Sequence, residues 1–149
     1  MKKVFLSLMT IGLSICHVSS VFAMQKNTFL ENNYNSIYVE YIIEELPSTR
    51  ASQTRVGKKT ANVKSGNTVL WSVTVTGTFE YTGTTSICTK SEVSTTCPSS
   101  SWKISSQSAT KSGASATAKA TAKRYSNGAV VETRTESVVL ICGTDGTLY

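Results

Sequence analysis

The sequence predicts an all-β protein, a small antiparallel β-sandwich with six or seven strands in an Ig-like arrangement. Thr, Ser and Val dominate the chain from Val56 onward, with Gly and Asn between the runs, as expected for strands that are joined by turns. Residues 71–81 alternate apolar and polar side chains, and alanines alternate with polar residues from Ala114 to Ala122. A period of two indicates strands with one buried face. A partly open barrel is the alternative architecture.

The first 23 residues have the three-part pattern of a secretory signal peptide. Lys2 and Lys3 form a positive start, an apolar run follows, and the compact residues Val21 and Ala23 precede a cleavage site. The apolar run is too short to cross a hydrocarbon core of about 30 Å, which argues against a membrane anchor. We therefore expect a secreted, extracellular protein without a transmembrane segment after cleavage. Cleavage removes two of the 15 basic residues and none of the nine acidic ones, which leaves a net charge of +4.

Residues 24–55 are predicted to form an acidic N-terminal extension and linker, and residues 56–149 the β-sandwich domain. Residues 24–47 contain four Glu and one Lys, whereas residues 48–149 contain 12 basic and five acidic residues. Residues 37–46 are partly apolar without a clear period, so a helix and a strand both remain open. The extension is either a flexible tail, which we favour, or a pro-segment that shields the basic domain until proteolysis at the linker.

Turn signals divide the domain into strands at the spacing of a sandwich. These signals are Lys64-Ser65-Gly66-Asn67, Thr82-Gly83, Lys111-Ser112-Gly113 and Asn127-Gly128. The strands that they predict run over residues 57–64, 68–81, 84–90, 101–110, 114–125 and 129–141.

The Asn127-Gly128 dipeptide predicts a type I′ turn between the last two strands. A two-residue loop fixes the register, so Ser126 faces Ala129 and the pairing continues outward from there. On the exposed side, this register predicts the pairs Lys123–Glu132, Thr121–Arg134 and Lys119–Glu136.

The same register places the alanines from Ala114 to Ala122 on the opposite side, with Val139 and Ile141 beside them. A row of small residues leaves space for bulky side chains from a second sheet. We expect those side chains to be Trp71, Phe79 and Trp102.

Three cysteines remain after cleavage, and an odd number outside the cell leaves one thiol over. By loop entropy, a Cys88–Cys142 disulfide is worth about 4 kcal/mol and a Cys88–Cys97 disulfide about 2.5 kcal/mol. We favour Cys88–Cys142, with Cys97 free or paired between chains, and the shorter bridge remains the alternative.

The residue inventory argues against an enzyme. The only His, at position 17, lies in the predicted signal peptide, so neither His-based catalysis nor a His metal site is expected. Ser100 and Lys103 form a Ser-x-x-Lys match that chance explains in a chain so rich in Ser and Lys. Glu132 and Glu136 share a face, as the two carboxylates of a glycosidase do, but the predicted register gives each a lysine partner. We expect no cofactor and no metal.

The basic residues make the domain a candidate for binding anionic surfaces. The basic binding face predicted from the sequence comprises Lys58, Lys59, Lys119, Lys123, Arg124 and Arg134. The partner that suits it is an anionic cell-envelope polymer or glycan, and nucleic acid is not expected because no recognition motif is present. The alternative is that these charges only keep exposed strands soluble.

Four segments are similar to a known group of proteins. The segments are Trp71-Ser72-Val73-Thr74-Val75-Thr76-Gly77-Thr78-Phe79, Ser108-Ala109-Thr110-Lys111-Ser112-Gly113, Lys123-Arg124-Tyr125 and Val138-Val139-Leu140-Ile141-Cys142. They resemble small secreted β proteins of Gram-positive bacteria, a family of unknown function, over just more than half of the chain. The resemblance implies secretion and a β fold and brings no activity. In that group two cysteines that correspond to Cys88 and Cys142 are usual, and Cys97 is a departure.

These observations predict a secreted, non-catalytic extracellular binding or interaction module with an unidentified ligand. The alternative is a secreted antibacterial protein or toxin whose acidic segment is a pro-region. The sequence does not predict the oligomeric state or whether residues 24–55 are removed.

Overall fold

The computed structural model describes residues 36–46 and 53–149, and the regular elements in them are β-strands. The strands are β1 (Ile37–Glu45), β2 (Thr54–Ser65), β3 (Thr68–Tyr81), β4 (Ser86–Thr96), β5 (Trp102–Ser112), β6 (Ser115–Ser126) and β7 (Ala129–Ile141). They form an antiparallel four-stranded sheet in the order β1-β2-β3-β4 and an antiparallel three-stranded sheet in the order β5-β6-β7. The two sheets pack face to face, so the β-sandwich prediction is confirmed over the alternative barrel.

The predicted signal peptide and part of the predicted extension and linker lie outside the described residues. Among the residues that are described, no helix is long and apolar enough to cross a bilayer.

The predicted type I′ turn between β6 and β7 is confirmed. Asn127 has a φ of 50° and Gly128 a φ of 79°, and a type I′ turn requires a positive φ at both central residues. Asn tolerates this conformation because its short polar side chain bonds locally, and Gly has no Cβ to clash.

The core lies between the inner sides of the sheets and combines large residues from β3 with small ones from β6. Trp71 and Phe79 are fully buried, and Trp102 of β5 is 3% exposed. The ring centroids of Trp71 and Trp102 are 6.4 Å apart. The buried alanines of β6 are Ala116, Ala118, Ala120 and Ala122. The predicted alanine row is therefore confirmed from Ala116 to Ala122, with Trp71 and Phe79 facing it from the other sheet, whereas Trp102 was wrongly assigned to that sheet and lies in β5, beside the alanines.

The apolar residues that β7 contributes to the core differ from the prediction. Val138 and Leu140 are buried, whereas Val139 is 38% and Ile141 42% exposed. The prediction counted residues outward from the Asn127-Gly128 turn, and it was wrong because β7 contains an additional residue that moves every later side chain to the other side of the strand.

Strand β1 lies within the predicted extension and forms the edge of the four-stranded sheet. It pairs with β2 along its whole length and contacts no other strand. Because the facing sheet has only three strands, β1 extends beyond it: Ile37 and Val39 pack against the edge of the core, and the other residues of β1 are exposed. The sandwich therefore begins before the predicted boundary at Val56.

The last residues of the chain fold back beside the end of β7. Cys142 pairs with Leu148 in an isolated bridge, and Ile141 and Tyr149 exchange two backbone hydrogen bonds of 3.2 and 2.9 Å. This turn carries Leu148 into the core, where it is 8% exposed and packs against Gly57 of β2.

Candidate anion-binding face

A β-bulge near the Asn127-Gly128 turn changes the register of the last hairpin. Ser126 pairs with Ala129 and Tyr125 with Val130, but Arg124 then pairs with Glu132. Val131 is the additional residue of the bulge. Since one additional residue moves every following side chain to the other side of a strand, the predicted pairs Lys123–Glu132, Thr121–Arg134 and Lys119–Glu136 are wrong.

The shift brings the acidic residues of β7 to the inner side of the three-stranded sheet. Glu136 is paired with Ala120, whose side chain is buried in the core, and partners across a ladder share a face. Glu136 Oε1 lies 3.0 Å from Arg134 Nε, and Glu132 Oε2 lies 3.0 Å from Arg124 Nε. Both carboxylates are therefore paired with arginines and not with the lysines that the sequence predicted.

The outer side of the three-stranded sheet consists mainly of hydroxyl groups and lysines, and we call it the hydroxyl–lysine face. Its members are Lys103, Ser106, Ser108, Thr110, Thr117, Lys119, Thr121, Lys123, Tyr125, Thr133, Thr135 and Ser137. The exposed apolar residues Val139 and Ile141 continue the same side at the end of β7. The hydroxyl oxygens of Thr121 and Thr135 are hydrogen-bonded at 2.8 Å. The outward positions of β5, β6 and β7 are all described, and none of them is Asp or Glu.

Within the described part of the chain, the three lysines of this face have no carboxylate within 4.0 Å. Lys103 lies opposite Lys123 across β5 and β6, and Lys119 lies four residues along β6, about 13 Å from Lys123. Across residues 36–46 and 53–149, the basic side chains within 4.0 Å of a carboxylate are Arg55, Lys64, Lys90, Arg124 and Arg134. The hydroxyl–lysine face therefore carries positive charge that forms no ion pair with the residues that the structure describes.

A second bulge lies in β5, the other neighbour of β6 in the sheet. In β5, Ile104 pairs with Ala122 and Ser106 with Thr121, so Ser105 is an additional residue. Ser105 Oγ donates a hydrogen bond of 3.0 Å to the carbonyl oxygen of Thr121. Bulges redirect side chains and are common next to binding sites.

The six residues of the predicted basic binding face do not lie on one surface. Lys58 is on the outer side of the four-stranded sheet, opposite Glu44. Lys59 is on its inner side, in line with the buried residues Gly57 and Ala61.

On the three-stranded sheet, Arg124 and Arg134 are on the inner side in their ion pairs, and Lys119 and Lys123 are on the outer side. Only Lys119 and Lys123 therefore remain together, and Lys103 joins them. The sequence analysis missed Lys103 as a binding residue. A usable signal was present, because Trp102 belongs in the core and its neighbour in a strand must then point outward.

Cys88 and Cys142 are held at the same end of the sandwich. The Cys88 N–H donates to the carbonyl oxygen of Gly113 at 2.7 Å, and the Cys142 N–H donates to that of Ala114 at 3.1 Å. Both residues are buried, and burial raises the pKa of the Cys88 thiol. Both cysteines are free thiols in the structure, so the disulfide stays a prediction.

The alternative disulfide between Cys88 and Cys97 does not fit the structure. These residues lie at opposite ends of β4, and nine residues of strand separate them by about 30 Å. A disulfide requires Cα atoms within about 7 Å. Cys97 is half-buried, and burial raises its pKa.

The part of the chain that the structure describes contains no group of three or more His, Cys, Asp or Glu side chains that could hold a metal ion. Comparison of the chain with protein-family models, with curated proteins and with solved structures finds no match. The resemblance to small secreted proteins of Gram-positive bacteria therefore stays a prediction.

Proposed function

We propose that this protein is an exported, non-catalytic module that binds an anionic polymer of the cell envelope through the hydroxyl–lysine face. The observation that carries the proposal is that Lys103, Lys119 and Lys123 share one face of a sheet on which no carboxylate stands. Uncompensated charges on one surface add up to a field that concentrates ions of the opposite sign.

The shape and chemistry of the face favour a polymer over a small molecule. Small-molecule sites are concave and mostly apolar, whereas this face is the open side of a three-stranded sheet. Its hydroxyl groups donate and accept hydrogen bonds, which suits the hydroxyl groups of a glycan or a polyol phosphate. The lysines supply point charges for the anionic groups of the same polymer.

The arrangement of the carboxylates supports a non-catalytic role. Glu132 and Glu136 were the candidates for the two carboxylates of a glycoside hydrolase. A carboxylate oxygen of each lies 3.0 Å from the Nε atom of an arginine. A glycosidase needs two carboxylates that face a substrate across a cleft, whereas these two carboxylates are each held against a guanidinium group.

Export and a Cys88–Cys142 disulfide are part of the same proposal. The signal-peptide pattern supports export, and the neighbouring backbone anchors of the two cysteines on Gly113 and Ala114 support the pairing. Formation of the bond requires exchange with the disulfide of an extracytoplasmic thiol oxidant, which takes up the two electrons and two protons that the thiols lose.

Retention on immobilised polymers tests the proposed function. The probes are poly(glycerol phosphate), polygalacturonate and neutral dextran, with anionic phospholipid vesicles as a further arm. We expect the mature protein to bind both anionic polymers at about 0.05 M salt and to bind more weakly at about 0.5 M salt. The variant K103Q/K119Q/K123Q should lose this binding.

The matched control is K58Q/K59Q/K90Q, which removes the same charge from the four-stranded sheet. If both triple variants lose binding equally, net charge explains the retention and the face is not the site. Binding to the vesicles alone, or equal retention on dextran, contradicts the proposal.

A second candidate function has specific support from β1. Glu40 Oε2 lies 3.3 Å from Lys64 Nζ, and Glu45 Oε2 lies 3.4 Å from Arg55 Nη1, so the acidic strand covers basic residues of β2. This arrangement suits an antibacterial protein or toxin whose pro-segment leaves on maturation. Mass spectrometry of the exported protein separates the candidates, because a chain that starts at Met24 supports the binding module and one that starts near Ala51 supports the pro-protein.

A further inference from the structure

We infer that Lys103, Lys123 and Tyr125 form a subsite that holds one anionic sugar or polyol unit of the polymer. The inference rests on the proposed function and identifies the part of the hydroxyl–lysine face at which an individual unit is recognised. The unit is a sugar or polyol that carries a phosphate or a carboxylate.

The first observation is that two lysines stand opposite each other. Lys103 and Lys123 are direct partners across β5 and β6 on the outer side of the sheet. Like charges at such positions destabilise a sheet, and no acidic residue of the described chain lies within ion-pair distance of either lysine. An oxyanion between the two ammonium groups relieves this repulsion and accepts hydrogen bonds from both.

The second observation is an aromatic ring beside the lysine pair. Lys103 Nζ lies 5.4 Å from the centroid of the Tyr125 ring. Tyr125 is half-buried, so the ring is held in place while part of it remains accessible. An aromatic face of this kind packs against the C–H groups of a sugar ring.

The third observation is that two bulges converge on this end of the face. The bulge at Ser105 lets Trp102 enter the core while both Lys103 and Ser106 point outward. The bulge at Val131 removes Glu132 from the outer side, next to Lys123. Each bulge interrupts the regular ladder, and together they place two lysines and a tyrosine on one surface without a carboxylate.

Arg124, the other basic residue at this end of β6, is engaged in an ion pair on the inner side of the sheet. Arg124 follows Lys123 directly, and its Nε donates to Glu132 Oε2 at 3.0 Å. The subsite therefore consists of ammonium groups, which act as point charges and accept phosphate and carboxylate alike.

Titration of the folded mature protein with small probes, followed by backbone amide chemical shifts, tests the subsite. The probes are glucose 1-phosphate, glucuronate, inorganic phosphate and glucose. We expect the first two to shift the amides around Lys103 and Tyr125 and glucose to shift none. Tyr125→Leu should weaken glucose 1-phosphate about fivefold and leave inorganic phosphate unchanged, while Tyr125→Phe binds like the wild type.

Tyr149→Leu is the matched control, because Tyr149 is 56% exposed and pairs with Ile141, at the end of β7 that is far from Lys123 and Tyr125. Equal affinity for glucose 1-phosphate and inorganic phosphate in every variant means an adventitious ion only and overturns the subsite. Loss of polymer binding in K103Q/K119Q/K123Q without any effect of Tyr125→Leu also overturns the subsite and leaves the proposed function standing. Absence of polymer binding in the wild type overturns both.

Discussion

Arg124 and Glu132 lie directly opposite each other on β6 and β7, with Arg124 Nε 3.0 Å from Glu132 Oε2. The pair exists because Val131 is an additional residue between Val130 and Glu132. Without that bulge Glu132 would face Lys123 on the outer side of the sheet. A single additional residue thus decides whether Lys119 and Lys123 lie opposite glutamates or opposite hydroxyl groups.

A double-mutant cycle distinguishes the two registers. We expect Arg124→Gln and Glu132→Gln to be coupled by about 0.5 kcal/mol in the free energy of unfolding, because the pair is only half-buried. Lys123→Gln and Glu132→Gln should be additive. Urea unfolding of the single and double variants measures both couplings, and a larger coupling for Lys123 than for Arg124 would restore the unbulged register.

Gly57 marks the closest approach of the C-terminal turn to the four-stranded sheet. A Cβ at this position would meet the Cδ1 atom of Leu148, so we expect Gly57→Ala to lower the free energy of unfolding by about 1–3 kcal/mol. In a Leu148→Ala background the methyl group has space, and the same change should cost clearly less. Equal cost in the two backgrounds, measured by chemical unfolding, would show that Leu148 does not pack there.

If the protein is exported as proposed, Cys88 and Cys142 should form its one disulfide. Peptide mapping without reduction is expected to yield a fragment that joins the two residues, also in a Cys97→Ser variant. Reduction should lower the free energy of unfolding by about 4 kcal/mol on the loop-entropy model. A fragment that joins Cys97 to either residue would contradict the pairing.

Asp145 makes the C-terminal turn sensitive to acid. Its carboxylate accepts hydrogen bonds of 3.0 Å from the Thr147 N–H and 2.8 Å from Thr147 Oγ1, and these bonds lower the pKa of Asp145. Because the pKa of Asp145 is lower in the folded than in the unfolded chain, its ionised carboxylate stabilises the folded state at a pH above about 4, the pKa in the unfolded chain. This stabilisation is lost as the pH falls through the lower pKa of the folded state.

Asp145→Asn removes the titrating group while keeping the side-chain shape. Urea midpoints of the wild type and the variant should therefore converge as the pH falls from neutral to below about 4. A difference between the two proteins that stays constant over this range would show that the Asp145 contacts contribute nothing.

The fold was predictable because the sequence signals for its strands and turns each lie within a short segment of the chain. The alternation from Trp71 to Phe79, the alanine row and the Asn127-Gly128 turn each indicate strands by themselves, and the structure contains all three. Strand β1 was not predictable, because the overhanging strand buries neither side fully and its residues show no period.

The site was predictable only in part. The sequence indicated that Lys119 and Lys123 are exposed, but the register that surrounds them depends on bulges at Ser105 and Val131. Nothing in the local sequence marks these positions, because Val130 and Val131 are both apolar and Ser105 lies in a run of serine residues. The register with the bulge and the register without it differ in whether Val138 and Leu140 are buried. That burial depends on the packing of the assembled core, which is a long-range effect.

The most direct test of the basic face adds carboxylates where the bulge removed them. Thr133 is paired with Lys123, and Ser137 with Lys119, so T133E/S137E places an acid beside each lysine and leaves every lysine in place. The control T76E/S94E adds the same charge to the outer side of the four-stranded sheet. The measurement is the dissociation constant for poly(glycerol phosphate) at fixed salt. We predict a loss of about tenfold or more for T133E/S137E, equivalent to ~1.4 kcal/mol, and a much smaller change for the control, whereas equal losses in the two variants would contradict the account.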